Sequence, residues 1–273
     1  MNQKFYQTLE EKGFLIAAHR GSFGGSIIDN TEFSAKVALA LGTDIVEMDS
    51  IRSTDGVLYA YHDGGEERSF GIKENIKTLS SKEIDQLEYL NCLGHKTGQR
   101  VMRLEDLLTK LKGKCLINLD RSWDYLDEVF PLIKKLGMED QIIIKTNPTD
   151  EALNFFKNSD LKLMYMVIAN TKEEVLKFMI PEINMVAAEI LFKEETDEII
   201  SEEFINFLKS KNIKIWLNAI TLGTRFNLSA NYGDNLSVEK DGEGWKWLAD
   251  HGADIIQTDW PGLVRDFRNN YKK

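Results

Sequence analysis

The sequence predicts a single α/β domain folded as an eight-stranded (β/α)8 barrel, or TIM barrel. Short runs rich in β-branched residues alternate with longer amphipathic segments, a rhythm typical of a parallel sheet covered by helices. Nine runs have strand character, and one of them is better explained as a hairpin partner. The chain of 273 residues has a usual length for one such barrel, so we predict one domain over residues 1–273.

The predicted strands are Leu15–His19, Asp44–Ser50, Val57–His62, Cys115–Asp120, Gln141–Lys145, Leu163–Val167, Met185–Ile190, Ile213–Asn218 and Asp254–Thr258. The third follows the second across a short link that contains Asp55-Gly56. Asp-Gly in a short link is a hairpin signal, whereas a parallel crossover needs a dozen or more residues. Val57–His62 is therefore predicted to be an antiparallel strand at the rim, and the other eight form the barrel.

Amphipathic periodicity predicts helices at Glu32–Leu41, Leu104–Leu111, Trp123–Leu136, Thr149–Asn158, Lys172–Met179, Glu202–Lys211 and Glu243–His251. Two long segments interrupt the alternation, the polar Gly64–Gln99 after the rim hairpin and Thr221–Gly242 after the seventh barrel strand. Loops of this length are usually functional or disordered. We expect the first to be an insertion of about residues 64–100 at the active-site face.

Composition narrows the possible partners. The formal net charge of −10 argues against binding to nucleic acid or to an anionic membrane, since both favour a basic surface. No run approaches the roughly 18 apolar residues of a membrane span, and the N-terminus lacks the apolar core of a signal peptide. We therefore expect a cytoplasmic location and a small-molecule partner, with no stable membrane insertion. The oligomeric state is left open.

Three carboxylates fall where barrel strands end. Glu47 and Asp49 are two residues apart, so their side chains point to the same side of one strand, and Asp120 closes another strand. The acidic pair alone is equally consistent with a solvated strand end. Three carboxylates together describe a hard-cation site that suits Mg²⁺ or Ca²⁺ better than Zn²⁺.

Two of the four histidines, His19 and His62, end strand-like runs near this acidic cluster. Because histidine titrates near neutral pH, we predict that they serve as general acid and general base. Arg20 and Lys145 are candidate phosphate contacts; a buried ion pair with a carboxylate is the alternative for each.

These residues resemble the glycerophosphodiester phosphodiesterase family in order and spacing. The matching positions are His19-Arg20-Gly21, Asn30-Thr31, Phe33, Ala35, Gly42, Glu47-x-Asp49, Asp55-Gly56, His62-Asp63, Leu79, Glu83-Ile84, Leu104-Glu105-Asp106-Leu107, Asn118-Leu119-Asp120, Gly252-Ala253-Asp254, Ile256 and Thr258-Asp259-x-Pro261. The resemblance implies a TIM-barrel phosphodiesterase that binds one divalent cation through Glu47, Asp49 and Asp120. It also implies acid/base roles for His19 and His62, and that the insertion contacts the alcohol part of the substrate.

The chain departs from the family at two places. Asp120-Arg121-Ser122 stands where the family usually has Glu-x-Lys, so the lysine is missing. Strand alternation predicts that Arg121 points to the opposite face from Asp120. Trp216-Leu217-Asn218-Ala219 replaces the usual Trp-Thr-Val-Asn. These departures bear on substrate identity more than on reaction type.

We therefore expect metal-dependent hydrolysis of glycerophosphodiesters to an alcohol and glycerol 3-phosphate. One alternative is lysophospholipase D or inositol-type phospholipase activity, which an exposed apolar rim on the insertion would favour. The other is a catalytically silent phosphodiester-binding barrel, which the missing lysine would favour.

Overall fold

The computed structural model describes residues 2–223 and 227–271. Its strands are β1 Leu15–Ala18, β2 Ile45–Arg52, β3 Leu58–Ala60, β4 Glu88–Leu90, β5 Lys96–Arg100, β6 Met102–Arg103, β7 Leu116–Asp120, β8 Ile142–Thr146, β9 Met164–Ala169, β10 Met185–Ile190, β11 Lys214–Asn218 and β12 Ile255–Thr258. Strands β1, β2 and β7 to β12 are parallel to their neighbours, and β1 pairs with both β2 and β12, which closes an eight-stranded barrel. The predicted fold is confirmed.

The hairpin at the rim is also confirmed. Strand β3 pairs antiparallel with the end of β2, with Ser50 opposite Ala60 and Arg52 opposite Leu58. Strand β6 then pairs antiparallel with β3. The turn between β2 and β3 includes Gly56, whose φ of 86° lies in the left-handed region that glycine adopts readily.

The helices are α1 Gln3–Lys12, α2 Glu32–Ala40, α3 Glu66–Phe70, α4 Ser81–Ile84, α5 Leu104–Leu111, α6 Leu126–Leu136, α7 Asp150–Asn158, α8 Lys172–Phe178, α9 Glu202–Ser210, α10 Asp234–Glu239, α11 Glu243–Asp250 and α12 Pro261–Asn270. The seven predicted helices are present with small shifts at their ends. Five helices of the described residues were not predicted: α1, α12, and the short helices α3, α4 and α10. Phe5 and Leu9 of α1 pack with inward-facing barrel residues such as Leu15 and Trp216, so α1 closes the floor of the barrel.

The segment 64–100 contains α3, α4 and the β4–β5 hairpin, and it shares a small core with the β2–β3 hairpin. Ile76, Ile84 and Tyr89 of the segment are buried there with Tyr59 and Tyr61. Residues 224–226 of the predicted loop Thr221–Gly242 lie outside the described residues, and the rest of that loop includes α10.

Candidate active site

The three predicted metal ligands meet at the carboxyl ends of β2 and β7. One carboxylate oxygen from each of Glu47, Asp49 and Asp120 lies within 4.8 Å of the others. Parallel pairing sets Asp49 directly beside Asp120, because the register of β2 and β7 aligns these two residues. Glu47 and Asp49 are almost fully buried, and the Asp120 side chain is 18% exposed. The cluster therefore opens to solvent on the Asp120 side.

Burial and mutual repulsion set the protonation of this cluster. Burial raises the pKa of Glu47 well above its usual range, and the carboxylates of Asp49 and Asp120 raise it further. Burial also raises the pKa of Asp120, against the opposing charge of Lys145. Burial would raise the pKa of Asp49 too, but Arg20 and other neighbours outweigh burial and lower it. Asp49 is therefore the carboxyl group of the cluster that ionises most readily, and the charged form of Glu47 is the one that burial disfavours most strongly.

The acidic cluster fits a hard divalent cation. Glu47 accepts a hydrogen bond from the Arg20 backbone N–H through Oε2 at 2.8 Å, while its Oε1 is buried with no hydrogen-bond partner among the described residues. A buried carboxylate oxygen without a partner is costly unless a ligand satisfies it. An all-oxygen donor set of this kind suits Mg²⁺ or Ca²⁺.

His19 follows β1 and is held by a carboxylate to which the sequence analysis assigned no role. Its Nδ1 lies 2.8 Å from Oδ1 of Asp259, just beyond β12. Asp234 in turn accepts a hydrogen bond from the Asp259 backbone N–H at 2.9 Å. Asp234 also accepts hydrogen bonds from the Thr258 hydroxyl at 2.7 Å and from the indole N–H of Trp245 at 2.8 Å. Burial raises the pKa of Asp234 to about 7, although these three donors oppose the rise.

His62 lies at the end of the β2–β3 hairpin, where it contacts Arg121. Nη1 of Arg121 is 3.2 Å from Nε2 of His62, and Nη2 of Arg121 is 2.7 Å from Oδ1 of Asp63. The prediction that Arg121 points away from the cluster is wrong. Its φ of 57° ends the strand alternation, so the following side-chain directions no longer obey the period of two. Burial lowers the pKa of His62, and the charges of Arg20 and Arg121 lower it further, against the opposing charge of Asp49.

Arg20 forms ion pairs with carboxylates of the site. Its Nε is 3.1 Å from Oδ2 of Asp49, and Nη1 is 3.6 Å from Asp29. Asn30 completes the environment of Asp49, since its side chain donates to Oδ2 and accepts from the Asp49 backbone N–H. The ion-pair alternative for Arg20 is therefore present in the structure.

Lys145 is the centre of a second buried network inside the barrel. Its Nζ lies 2.8 Å from Oδ2 of Asp120 and 3.1 Å from Oε2 of Glu189, and the side chain is 3% exposed. The amide of Asn218 donates to the other oxygen of Glu189 at 2.7 Å. The flanking carboxylates raise the pKa of Lys145 despite its burial. Glu189 and Asn218 escaped the sequence analysis, although both are polar residues at inward positions of predicted strands.

Comparisons with known proteins agree with this architecture. A crystal structure of a glycerophosphoryl diester phosphodiesterase from Parabacteroides distasonis matches with a TM-score of 0.75 at 21% identity, covering 94% of this chain and 86% of that chain. A phosphodiesterase from Oleispira antarctica, solved with the product sn-glycerol-3-phosphate, matches with a TM-score of 0.67 at 16% identity, covering 94% and 97%.

Curated relatives have similar names. Lysophospholipase D GDPD3 of Mus musculus is 27% identical over 129 residues, which are 44% of this chain and 39% of that protein. A glycerophosphodiester phosphodiesterase of Caldanaerobacter subterraneus subsp. tengcongensis is 27% identical over 158 residues, covering 55% and 62%. Each match therefore spans less than two thirds of the relative.

A family model described only as a domain of unknown function matches residues 163–267. Among the described residues, every helix is too short or too polar to cross a bilayer. The resemblance to the glycerophosphodiester phosphodiesterase family, expected from the sequence, is confirmed by these relatives and by the shared barrel fold.

Proposed function

We propose that this protein is a divalent-metal-dependent phosphodiesterase that hydrolyses glycerophosphodiesters to an alcohol and glycerol 3-phosphate. The observation that carries the proposal is the convergence of Glu47, Asp49 and Asp120 within 4.8 Å at the carboxyl ends of the strands. The two histidines lie at the same end of the barrel. The names of the similar proteins support the same reaction.

The proposed chemistry divides between the carboxylates and the histidines. A divalent ion held by Glu47, Asp49 and Asp120 would polarise a phosphoryl oxygen. One histidine takes a proton from the nucleophile, and the other gives a proton to the leaving alcohol. Asp259 holds Nδ1 of His19, which leaves Nε2 of that ring available for proton transfer.

The basic residues lower the negative charge that an anionic diester would meet. Arg20 and Lys145 each pair with ligand carboxylates, so they balance charge at the metal end of the site. A direct phosphate contact stays a prediction for both residues. We further propose that residues 1–273 act as one catalytic unit in which the segment 64–100 contacts the alcohol part of the substrate.

The nucleophile is either water or the 2-hydroxyl of the substrate's own glycerol. Attack by the hydroxyl gains from intramolecular proximity and forms a cyclic phosphate before hydrolysis. Phosphorus NMR during turnover distinguishes the two routes, because the cyclic ester appears only on the second.

The test is release of glycerol 3-phosphate from glycerophosphocholine and glycerophosphoethanolamine, with Mg²⁺, with Ca²⁺ and with EDTA. We expect metal-dependent release that falls by about 10²- to 10⁴-fold in His19→Ala and His62→Ala. His251→Ala is the matched control, because this exposed histidine stacks on Trp247, away from the cluster. Near-normal activity in either test variant would contradict the proposal. Metal binding without hydrolysis of any diester would favour the silent barrel.

Lysophospholipase D activity is the second candidate, and one surface favours it. A groove of about 770 Å³ contains Asp259 together with the apolar side chains of Phe23, Trp260 and Leu263. These three are 45%, 54% and 45% exposed. The segment 64–100 does not provide the apolar rim considered above, since Leu93 is its one exposed large apolar residue in the described chain.

The groove is tested with two substrates that differ by one acyl chain. If it binds that chain, Phe23→Ser and Leu263→Ser should lower kcat/KM for lysophosphatidylcholine by about tenfold each while sparing glycerophosphocholine. Phe207→Ser, an exposed residue of α9 on the outside of the barrel, is the control. Equal effects on both substrates would count against a lipid substrate.

A further inference from the structure

We infer that Arg121 is a substrate-binding residue of this site that contacts the phosphoryl group beside His62. The inference rests on the proposed function. It starts from a departure of this chain, which has Arg121-Ser122 where the resembling family has a lysine at the second of these positions.

The backbone brings Arg121 to the active-site side. Strand β7 ends at Asp120, and Arg121 has a φ of 57°, in the left-handed region that non-glycine residues rarely adopt. Its backbone N–H donates to Oδ1 of Asp120 at 2.6 Å. Ser122 is fully buried and its hydroxyl has no partner among the described residues. The turn thus buries the short Ser122 side chain and directs the long, cationic Arg121 side chain towards the mouth of the active site.

The guanidinium is held in place and remains open to solvent. It pairs with Asp63 at 2.7 Å and lies 5.8 Å from the ring centroid of Trp123. The Arg121 side chain is 30% exposed, whereas Arg20 is 16% and Lys145 is 3% exposed. Of these three basic side chains at the strand ends, Arg121 is the most exposed. A planar guanidinium with several donors matches the geometry of a phosphoryl group.

The contact with His62 places that guanidinium beside the reacting group. Nη1 of Arg121 faces Nε2 of His62 at 3.2 Å. In this arrangement Arg121 donates and Nε2 accepts. If Nε2 exchanges a proton with the substrate, the ester oxygen must approach this nitrogen, so the neighbouring phosphoryl oxygens come within reach of the Arg121 N–H groups.

The experiment measures binding of glycerol 3-phosphate by calorimetry in Mg²⁺, together with kcat and KM for glycerophosphocholine. The variants are Arg121→Met and Arg121→Gln, the second of which keeps an N–H donor but loses the charge. Arg52→Met is the matched control, since Arg52 also pairs with one carboxylate, Glu128, and also lies 5.8 Å from an aromatic ring.

Loss of a charged hydrogen bond to phosphate should weaken glycerol 3-phosphate binding and raise KM by about 10- to 100-fold in both Arg121 variants. Arg52→Met should bind as the wild type does. Methylguanidinium added to Arg121→Met should restore part of the lost activity. A role confined to holding His62 would lower kcat and leave product binding unchanged, and that result would overturn the inference.

The same data separate the two proposals. A wild-type protein that neither binds glycerol 3-phosphate nor hydrolyses a diester overturns the proposed function and this inference with it. A wild-type protein that does both, beside Arg121 variants with unchanged product affinity, overturns this inference alone.

Discussion

Replacing Lys145 with methionine tests how much the buried ion pairs of Lys145 contribute to the free energy of unfolding. The ammonium is 3% exposed and contacts Asp120 at 2.8 Å and Glu189 at 3.1 Å. Methionine keeps most of the aliphatic length and removes the charge, which leaves two carboxylates without their shared cation. Breaking a buried ion pair on one side costs about 3–5 kcal/mol, because the remaining charge is desolvated and unpaired. We therefore expect Lys145→Met to lose roughly that much unfolding free energy.

The measurement is urea denaturation in EDTA, so that a bound cation does not offset the loss. Lys177→Met is the control, because Lys177 pairs with the exposed Asp150 on the surface, where an ion pair contributes about 0–1 kcal/mol. Adding Glu189→Gln to Lys145→Met should recover part of the loss, since it removes one of the unpaired charges. A Lys145→Met protein within about 1 kcal/mol of the wild type would refute this account of the network.

The pH dependence of the same variant has a definite sign. Lys145 opposes the burial that raises the pKa of Asp120, so the variant should have an Asp120 pKa higher still. A carboxyl group with a raised folded-state pKa contributes its stability at low pH and loses it as the pH rises through that pKa. The stability deficit of Lys145→Met should therefore be largest at neutral pH and shrink on acidification. A deficit that grows on acidification would contradict the assignment.

Three further results are expected. Because burial raises the pKa of Glu47, cation binding should release protons, and the apparent affinity for Mg²⁺ or Ca²⁺ should rise with pH. Calorimetry measures both effects, and Glu47→Gln should remove both the binding and the proton release. Asp259→Asn should lower kcat by at least about tenfold with little change in melting temperature, because it loosens the orientation of His19; unchanged kcat would exclude that role. Asp234→Ala should cost about 1–3 kcal/mol of unfolding free energy, since two buried donors and the partly buried Asp259 N–H lose their acceptor, and a loss below this range would contradict it.

Much of the fold followed from patterns that are local in sequence. Strand runs, helix periodicity and the Asp55-Gly56 turn each depend on a few neighbouring residues, so they predicted the barrel and its rim hairpin. Residue type and position at strand ends indicated five site residues, and the resemblance to a known family indicated the same five: Glu47, Asp49, Asp120, His19 and His62. The structure places the three carboxylates together, and their roles stay predictions.

What escaped prediction depends on contacts between distant segments or on a single backbone angle. The partner of His19 is Asp259, 240 residues away, and no local pattern marks that pairing. The direction of Arg121 depends on its positive φ, which the strand period does not anticipate. Glu189 had a usable signal, since a polar residue at an inward position of a barrel strand needs a buried partner.

The positive charges of the site have separate tasks. Lys145 is buried and Arg20 is partly buried against the ligand carboxylates, so moving either towards a substrate would leave a buried anion unpaired. These two residues neutralise the charge of the ligand carboxylates, and they are poorly placed to move towards a substrate. Arg121 has its main ion pair with Asp63, outside the cation cluster, and its side chain beside His62 is the most exposed of the three. A cation that must contact a ligand which arrives and leaves is better placed at the partly solvated rim, because contact there costs less desolvation. This is the physical reason to expect substrate affinity to depend on Arg121 and barrel stability on Lys145.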